Sequence, residues 1–365
     1  MRNNNKGKVF WIVPIIVVAV ILVAYFYGWR IGSYINKDRT AYNVMEFATL
    51  INEDIDSGKE KGTFYVTGVS EDEVIAINDY VCSTNGVVEQ YSILEKNREG
   101  MKIMLKYAIS DNFYVIQKYK HGEELPSDRP EAYKLYEKVV EIIDEIILPG
   151  MTDYEKELAI HDYIVKNCEY GYTDYSQEYA FRAYGVLIQQ KGVCNGYAEA
   201  MSLLLTCVDV DNYIMVGEAA NDGEYELHAW NAVCLDGNWY QVDATWDDPI
   251  PDVKGFAGHS YFNVTDEIMD YTHNWENDSY NVCNNTEYNY FQYNNLITDR
   301  NGLGYIVNGA AMRDITGTVQ VVLTDYGDDY DWQPIFDIAG VNSFEYTAER
   351  YGQNHIVTIF LNRSY

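Results

Sequence analysis

Two segments of alternating residues, "ELHAWNAVCL" and "NWYQVDA", flank the dipeptide Asp236-Gly237. Asp-Gly between alternating segments is the strongest short signal for a two-residue β-hairpin. The dipeptide therefore fixes a pairing register. Leu235 faces Asn238, and each earlier residue of the first strand faces the correspondingly later residue of the second. This feature constrains the fold more than any other in the chain, because a one-residue slip would turn every side chain to the opposite face.

In this register, His228 and Asp243 lie on the same face of the hairpin as diagonal neighbours. Their backbones are then roughly 7–8 Å apart, a distance that a side-chain hydrogen bond can close. The sequence therefore predicts a histidine held by a carboxylate.

Cys194 lies in the segment "KGVCNGYAEAMSLLL", where an irregular glycine-containing stretch meets an apolar run that predicts a helix. Such a cysteine can be a small core residue, a metal ligand, half of a disulfide or a nucleophile. A helix N-terminus favours a thiolate over a thiol, whereas Cys207, late in the same helix, lacks that field. A zinc site of Cys194, His228 and Cys234 is disfavoured because nothing supplies a fourth ligand at zinc-site spacing. We predict no metal and no cofactor.

A thiolate that attacks an acyl carbon, an imidazole that transfers the proton and a carboxylate that orients the imidazole together make a nucleophilic triad. Cys194, His228 and Asp243 supply these three residue types. The pattern alone does not show that the helix and the hairpin meet.

The blocks "KGVCNGYAEA", "HAWNAV" and "YQVDATWDDP", in this order, resemble the signature blocks of the transglutaminase-like superfamily. The resemblance extends from about Tyr154 to Trp275 and is similar to the bacterial, membrane- or wall-associated branch. It implies a papain-related fold in which the cysteine packs against a β-sheet or barrel. It also implies that Cys194, His228 and Asp243 are the catalytic residues.

An oxyanion requires a donor beside the backbone N–H of Cys194. In related enzymes an upstream side chain contributes, and Tyr184, Gln189 and Gln190 are the candidates, with Tyr184 preferred. Trp230 and Trp246 either line an acyl-binding cleft or belong to the core, and we expect one of them in the core.

Five further residues complete the candidate list. His161 is expected to be a packed histidine on an apolar helical face. Asp247 and Asp248 are rival acids for the third position of the site, and we expect both to be loop residues. No partner is evident for His259 or His273.

From Val9 to Tyr27 the chain has no charged or strongly polar side chain, which is about the length of a membrane-spanning helix. We predict a cytoplasmic tail at 1–8 and a single anchor at 9–29, with the C-terminal bulk extracellular. A cleaved signal peptide is the alternative, but the apolar run is longer than usual and lacks a small-residue cleavage site.

The formal net charge of −30 and the pI near 4.4 exclude nucleic acid as a favourable partner, because the phosphates would be repelled. A solvated acidic surface is the simplest interpretation. The six cysteines form no close C-x-x-C pair, and we expect most of them to be small buried residues rather than disulfides.

The chain is therefore predicted to be α+β, with a small α+β domain at 41–123, a papain-like transglutaminase core at 130–276 and a C-terminal β-sandwich-like domain at 277–365. In the first domain, two strands are expected around Ser110–Asn112. In the core, Thr152 and Glu155 have capping-box spacing at the start of a helix.

These features together predict a membrane-anchored, cell-surface thiol acyl-transferase or hydrolase. Its substrate would be a protein or peptide amide, including one associated with the cell wall, and its activity would be that of a peptidase, deamidase or transglutaminase. The alternative hypothesis is a non-catalytic surface protein that uses the same core as a binding scaffold.

Overall fold

A computed structural model describes the chain from Arg39 onward, apart from short gaps. The described residues are 39–79, 81, 85–172, 177–221, 224–251, 253, 255–275, 280–313, 317–327, 330, 332 and 341–363. They fall into two compact units, the first reaching Val81 and including Val87–Ala108, the second formed by Asn85–Gly86 and Ile109 onward. The predicted tail and anchor at 1–29 lie outside the described residues. Within the described part, we find no helix with the length and apolar character needed to cross a bilayer.

The first unit is a four-stranded sheet with two helices. Its elements are β1 (Thr40–Ala41), α1 (Val44–Asp56), β2 (Lys61–Val66), α2 (Glu71–Ile75), β3 (Gly86–Lys96) and β4 (Met101–Ile109). The strand order is β1-β2-β4-β3. Alternating buried residues of β2 and β4 face the apolar side of α1, and they form the core of this unit.

The second unit begins with helices that pack around one long buried helix. They are α3 (Asp111–His121), α4 (Pro130–Ile146), α5 (Asp153–Asn167), α6 (Gln177–Ala180) and α7 (Cys194–Cys207), with a π-helical turn at Gly185–Gln189 and two short strands, β5 (Glu169–Tyr170) and β6 (Lys191–Gly192). The capping box predicted at Thr152 and Glu155 is confirmed. Most residues of α7 are buried, which makes it the central element of this core.

Helix α3 replaces the second strand that we expected after Ser110, so that expectation was wrong. The segment has the apolar residues Val115 and Ile116 next to each other, and helical spacing buries both with Asn112 on one face. Strand alternation would have exposed one of the two apolar side chains. The helix groups with the second unit rather than with the first.

The second sheet contains the predicted hairpin. Its strands are β7 (Asn212–Asn221), β8 (Glu224–Leu235), β9 (Asn238–Val242) and β10 (His273–Asn274), in the order β10-β7-β8-β9. The predicted register is confirmed, because Leu235 pairs with Asn238 and Asn231 pairs with Val242. The ladder ends at Val242, so Asp243 lies directly after the last strand residue.

The C-terminal region of the second unit is one sheet covered by a helix, not a sandwich, within the residues described. Its elements are α8 (Asp266–Met269), α9 (Tyr290–Tyr293), β11 (Ile297–Thr298), α10 (Arg300–Arg313), β12 (Thr318–Leu323), β13 (Val341–Tyr351) and β14 (Asn354–Arg363). The strand order is β11-β12-β14-β13. The segment "DRNGLGY" starts helix α10, because Leu303 and Val307 are buried in the core of this sheet.

Candidate active site

Cys194 is the first residue of helix α7, and its side chain is half-buried. Glycines on both sides allow the chain to pack closely at this point. A Cβ atom at Gly196 would lie 2.3 Å from the carbonyl oxygen of Ala180, and one at Gly192 would lie 2.4 Å from Cγ2 of Val186. Only glycine fits at these two positions without a shift of the surrounding chain.

Helix α7 packs directly on strand β8. Asn231 donates a hydrogen bond of 3.0 Å from Nδ2 to the carbonyl of Ala198, and both residues are buried. Ala198 and Ala229 form a small apolar cluster with Ile214 of β7. These contacts bring the start of α7 to the His228 end of the hairpin, which the sequence pattern alone did not show.

Cys194 and His228 line the same cleft, which has a volume of about 400 Å³. Apolar side chains on its rim include Leu227, 68% exposed, and Ile250, 75% exposed. Carboxylates of Glu226 and Glu349 also line it. The cleft is open to solvent and offers an apolar surface next to acidic groups.

His228 and Asp243 form the predicted hydrogen bond, with 2.7 Å between Nε2 and Oδ2. Burial of the imidazole disfavours its charged form, but the Asp243 charge and hydrogen bonds with Asp243 and Cys194 outweigh burial and raise the pKa of His228 to about 10. Because Nε2 contacts Asp243, Nδ1 is the nitrogen available for proton exchange with the thiol.

Asp243 is fully buried and accepts four hydrogen bonds. The backbone N–H groups of Thr245 and Trp246 donate to Oδ1 at 2.9 and 3.2 Å. His228 and His273 both contact Oδ2, His273 at 3.0 Å. Burial alone would raise the pKa of Asp243, but the His228 charge and the hydrogen bonds from both histidines lower it overall. The carboxylate is therefore ionised and fixed in orientation.

His273 was missed by the sequence analysis as a member of this site. It lies on β10, which pairs with β7 through His273 and Ala219. The resemblance did extend to about Trp275 and so included His273, but no local spacing connects His273 to Asp243, 30 residues earlier.

The two tryptophans have different positions. Trp230 is buried, stacks on His228 with a centroid distance of 5.9 Å and donates from Nε1 to Oε1 of Gln241 at 2.7 Å. Trp246 lines the cleft and contacts His228 edge-on at 6.1 Å. Trp230 is therefore the core residue and Trp246 is the cleft residue.

The structure does not bring Tyr184 or Gln190 to the cleft lining. Tyr184 packs against Tyr179 and the helical core. Gln190 ends the π-helical turn in a left-handed conformation, with φ of 57°. Another upstream tyrosine, Tyr170 of β5, does line the cleft beside Cys194, and sequence reasoning missed it because no recognisable spacing connects the two.

His161 is buried as expected, but it is also part of a second histidine–carboxylate network. Its Nε2 lies 3.1 Å from Oδ2 of Asp247, and its Nδ1 lies 3.3 Å from Oδ1 of Asp162. His259 contacts the same Asp162 oxygen at 2.8 Å. The Asp247 backbone N–H donates to the carbonyl of Asp243 at 3.1 Å, so His161 supports the chain just after the site through Asp247.

Two groups of side chains in the described part of the chain have ligand atoms close enough to hold a metal ion. They are His228, Asp243 and His273, and His161, Asp162 and His259. In both groups the carboxylate already accepts hydrogen bonds from two histidines. Cys194 and Cys234 belong to neither group. The five cysteines described form no disulfide with one another; three of them, Cys168, Cys207 and Cys283, are buried, and Cys82 lies outside the described residues.

A cysteine at a helix start, with an imidazole and a carboxylate from an adjacent hairpin, defines a site of the Cys-His-Asp class. Residues 140–244, which include all three side chains, match the family model of the transglutaminase-like superfamily. This stretch of the chain is a transglutaminase-like domain.

Two similar proteins are the kyphoscoliosis peptidases of Homo sapiens and Mus musculus. The identities are 33% over 124 residues and 32% over 125 residues, covering 31% of this chain in each case. The chain matches only 18% of the length of each peptidase.

Two solved structures are also similar. A TGase structure aligns with 57% of this chain and 59% of its own, at 16% identity and a TM-score of 0.28. The periplasmic domain of TgpA from Pseudomonas aeruginosa aligns with 45% and 69%, at 13% identity and a TM-score of 0.22.

Proposed function

We propose that the protein is a thiol hydrolase or acyl-transferase that acts on peptide or protein amides, with Cys194 as the nucleophile. The single observation that carries this proposal is the cleft shared by Cys194 and His228, with His228 bonded to the buried, ionised Asp243. The transglutaminase-like domain supports the same class of activity.

In the first half-reaction, His228 Nδ1 takes the thiol proton and Sγ attacks the amide carbonyl carbon. The carbonyl π electrons move to oxygen, where the backbone N–H of Cys194 is a candidate donor, because the first N–H groups of a helix lack intrahelical partners. When the tetrahedral intermediate collapses, the C–N bond breaks and His228 returns the proton to the leaving amine or ammonia. A thioester on Cys194 remains.

In the second half-reaction, water or an amine attacks the thioester carbon while His228 accepts its proton. The C–S bond then breaks, and His228 returns the proton to the Cys194 sulfur. Water makes the protein a peptidase or deamidase, and a primary amine makes it a transglutaminase. Asp243 keeps the imidazole in one tautomer and one orientation throughout.

The cleft favours an uncharged or cationic substrate segment. Leu227 and Ile250 offer apolar contact, and Glu226 and Glu349 would repel a carboxylate near the acyl group. The predicted anchor at 9–29 would hold the protein at the membrane with this cleft outside the cell. Protease treatment of whole cells tests that placement, and survival of the full-length chain would contradict it.

The activity is tested by labelling the purified protein with an electrophilic acyl probe. We expect rapid labelling that is lost in Cys194→Ala and retained in Cys234→Ala, a matched control because Cys234 is the other half-buried free thiol among the described cysteines. Equal labelling of wild type and Cys194→Ala would refute the proposal. Adding a glutamine peptide with or without a primary amine then separates transfer from hydrolysis.

A further inference from the structure

The Asp243 carboxylate contacts two histidines rather than one. His273 Nε2 lies 3.0 Å from Oδ2, the same oxygen that His228 contacts at 2.7 Å. His273 and Asp243 are both buried, His273 being 1% exposed. A buried polar group persists in a fold when it is hydrogen-bonded, so this contact satisfies both residues.

Asp243 sets the tautomer of His273. An ionised carboxylate can only accept, so Nε2 of His273 carries the proton that Oδ2 accepts. Nδ1 lies 2.9 Å from the Thr272 hydroxyl, which also lies 3.4 Å from the Met269 carbonyl. The aromatic rings of Trp230 and Trp246 pack against His273 at centroid distances of 5.0 and 4.8 Å. The ring is therefore held in place on its sides as well as at both nitrogens.

The electrostatics favour a neutral His273. Burial disfavours the imidazolium, and although Asp243 acts in the opposite direction, the His228 charge adds to burial, so the pKa of His273 is lowered. The titratable groups that face the ring are Asp243, His228 and Tyr261, whose ring lies 5.6 Å away. One carboxylate charge thus pairs with one imidazolium, that of His228, while His273 contributes a neutral donor.

We infer that His273 is a positioning residue, whose Nε2–H fixes the Asp243 carboxylate so that this carboxylate stabilises the protonated His228 opposite the Cys194 thiolate. The inference rests on the proposed function. His273 does not reach the cleft lining, and it acts on Cys194 only through Asp243 and His228.

Removal of this donor leaves Asp243 with three hydrogen bonds and allows the carboxylate to turn. His228 is then less well stabilised as an imidazolium, and the thiolate of Cys194 loses part of its counter-charge. In the profile of Cys194 alkylation rate against pH, the acid limb is the range in which the rate rises as the thiol ionises. This limb therefore moves to higher pH. A shift of one unit corresponds to a rate about tenfold lower on that limb.

The test is the pH profile of Cys194 alkylation by iodoacetamide, which requires no substrate. We expect the acid limb of His273→Leu to move up by about one unit, and His273→Gln to restore most of the profile, because its amide nitrogen can replace Nε2. His259→Leu is the matched control, since His259 makes the same kind of contact with Asp162 and not with Asp243.

A His273→Leu profile identical to that of wild type would overturn the inference, and so would an equal shift in His259→Leu. If His273→Leu does not fold, His273→Gln is compared with His273→Asn, whose shorter amide does not reach Asp243. A difference between these two supports the inference, and identical profiles overturn it. Failure of the proposed function is a separate result, in which wild-type Cys194 reacts no faster than Cys234.

Discussion

Glu157 is a fully buried carboxylate of the second unit that the candidate site does not use. Its Oε2 accepts from Nδ2 of Asn263 at 2.9 Å, whereas Oε1 has no hydrogen-bond partner. Burial, only partly offset by Asn263 and by the charge on His161, raises the pKa of Glu157 to about 8. The ionised form is therefore costly in the folded protein.

The sign of the resulting pH dependence follows from proton binding. The folded chain keeps the Glu157 proton up to about pH 8, whereas an unfolded chain releases it near 4.5. The free energy of unfolding therefore falls as the pH rises between these two values. We predict that Glu157→Gln removes this contribution and stabilises the protein at pH 9 by about 1–3 kcal/mol.

Urea unfolding at pH 5 and pH 9 measures the effect of Glu157→Gln. Glu137→Gln on helix α4 is the control, because that side chain is exposed. A gain for Glu157→Gln that is the same at both pH values would show that the carboxylate does not titrate in this range.

At the scale of elements, the hairpin of β8 and β9 is set by a turn in which both residues have positive φ, 49° at Asp236 and 78° at Gly237. Two such residues match a type I′ turn, whose twist agrees with that of the flanking strands. The turn fixes the register, and the register brings His228 to Asp243.

We predict that Gly237→Ala destabilises the protein by about 1–2 kcal/mol, because a side chain disfavours the left-handed conformation. The urea midpoint measures this loss. Asn238→Ala, on the neighbouring residue outside the positive-φ pair, should change the midpoint by much less. An unchanged midpoint in Gly237→Ala would mean that the turn does not hold the hairpin in register.

The sequence predicts an element well when the residues that determine it lie close together along the chain. The Asp-Gly turn, the Thr152 capping box and the helix start at Cys194 depend on neighbours within a few residues, and all three were predicted correctly. Helix α3 was mistaken for a strand because its partner, the buried core around α7, lies far along the chain. His273 reaches Asp243 only through the pairing of β10 with β7, which no local pattern encodes.

At the scale of the whole second unit, the C-terminal sheet is joined to the transglutaminase-like region. Gln320 of β12 accepts from the backbone N–H of His259 at 2.9 Å, and its Nε2 lies 3.2 Å from both Ser260 and Thr358 hydroxyls. Glu349 of β13 lines the cleft. We therefore expect the sheet and the site to unfold together.

We predict that Gln320→Ala lowers the free energy of unfolding by about 1–3 kcal/mol, because it leaves the His259 backbone N–H without its acceptor. The loss should be the same when unfolding is followed by far-UV circular dichroism and by the urea dependence of Cys194 labelling. Gln292→Ala, at an exposed position, is the control. Two transitions at different urea concentrations would instead indicate independent folding of the sheet.

The glycines beside Cys194 have a consequence for how this region can be mapped by mutagenesis. A methyl group at Gly196 would lie 2.3 Å from the backbone oxygen of Ala180, and one at Gly192 would lie 2.4 Å from Cγ2 of the buried Val186. An alanine scan across "KGVCNG" would thus record a large loss of labelling at Gly196. That loss would arise from displacement of helix α7 and not from a role of Gly196 in the reaction. Only a scan that measures folding as well as labelling can distinguish the loss of the nucleophile from the loss of packing at the neighbouring glycine.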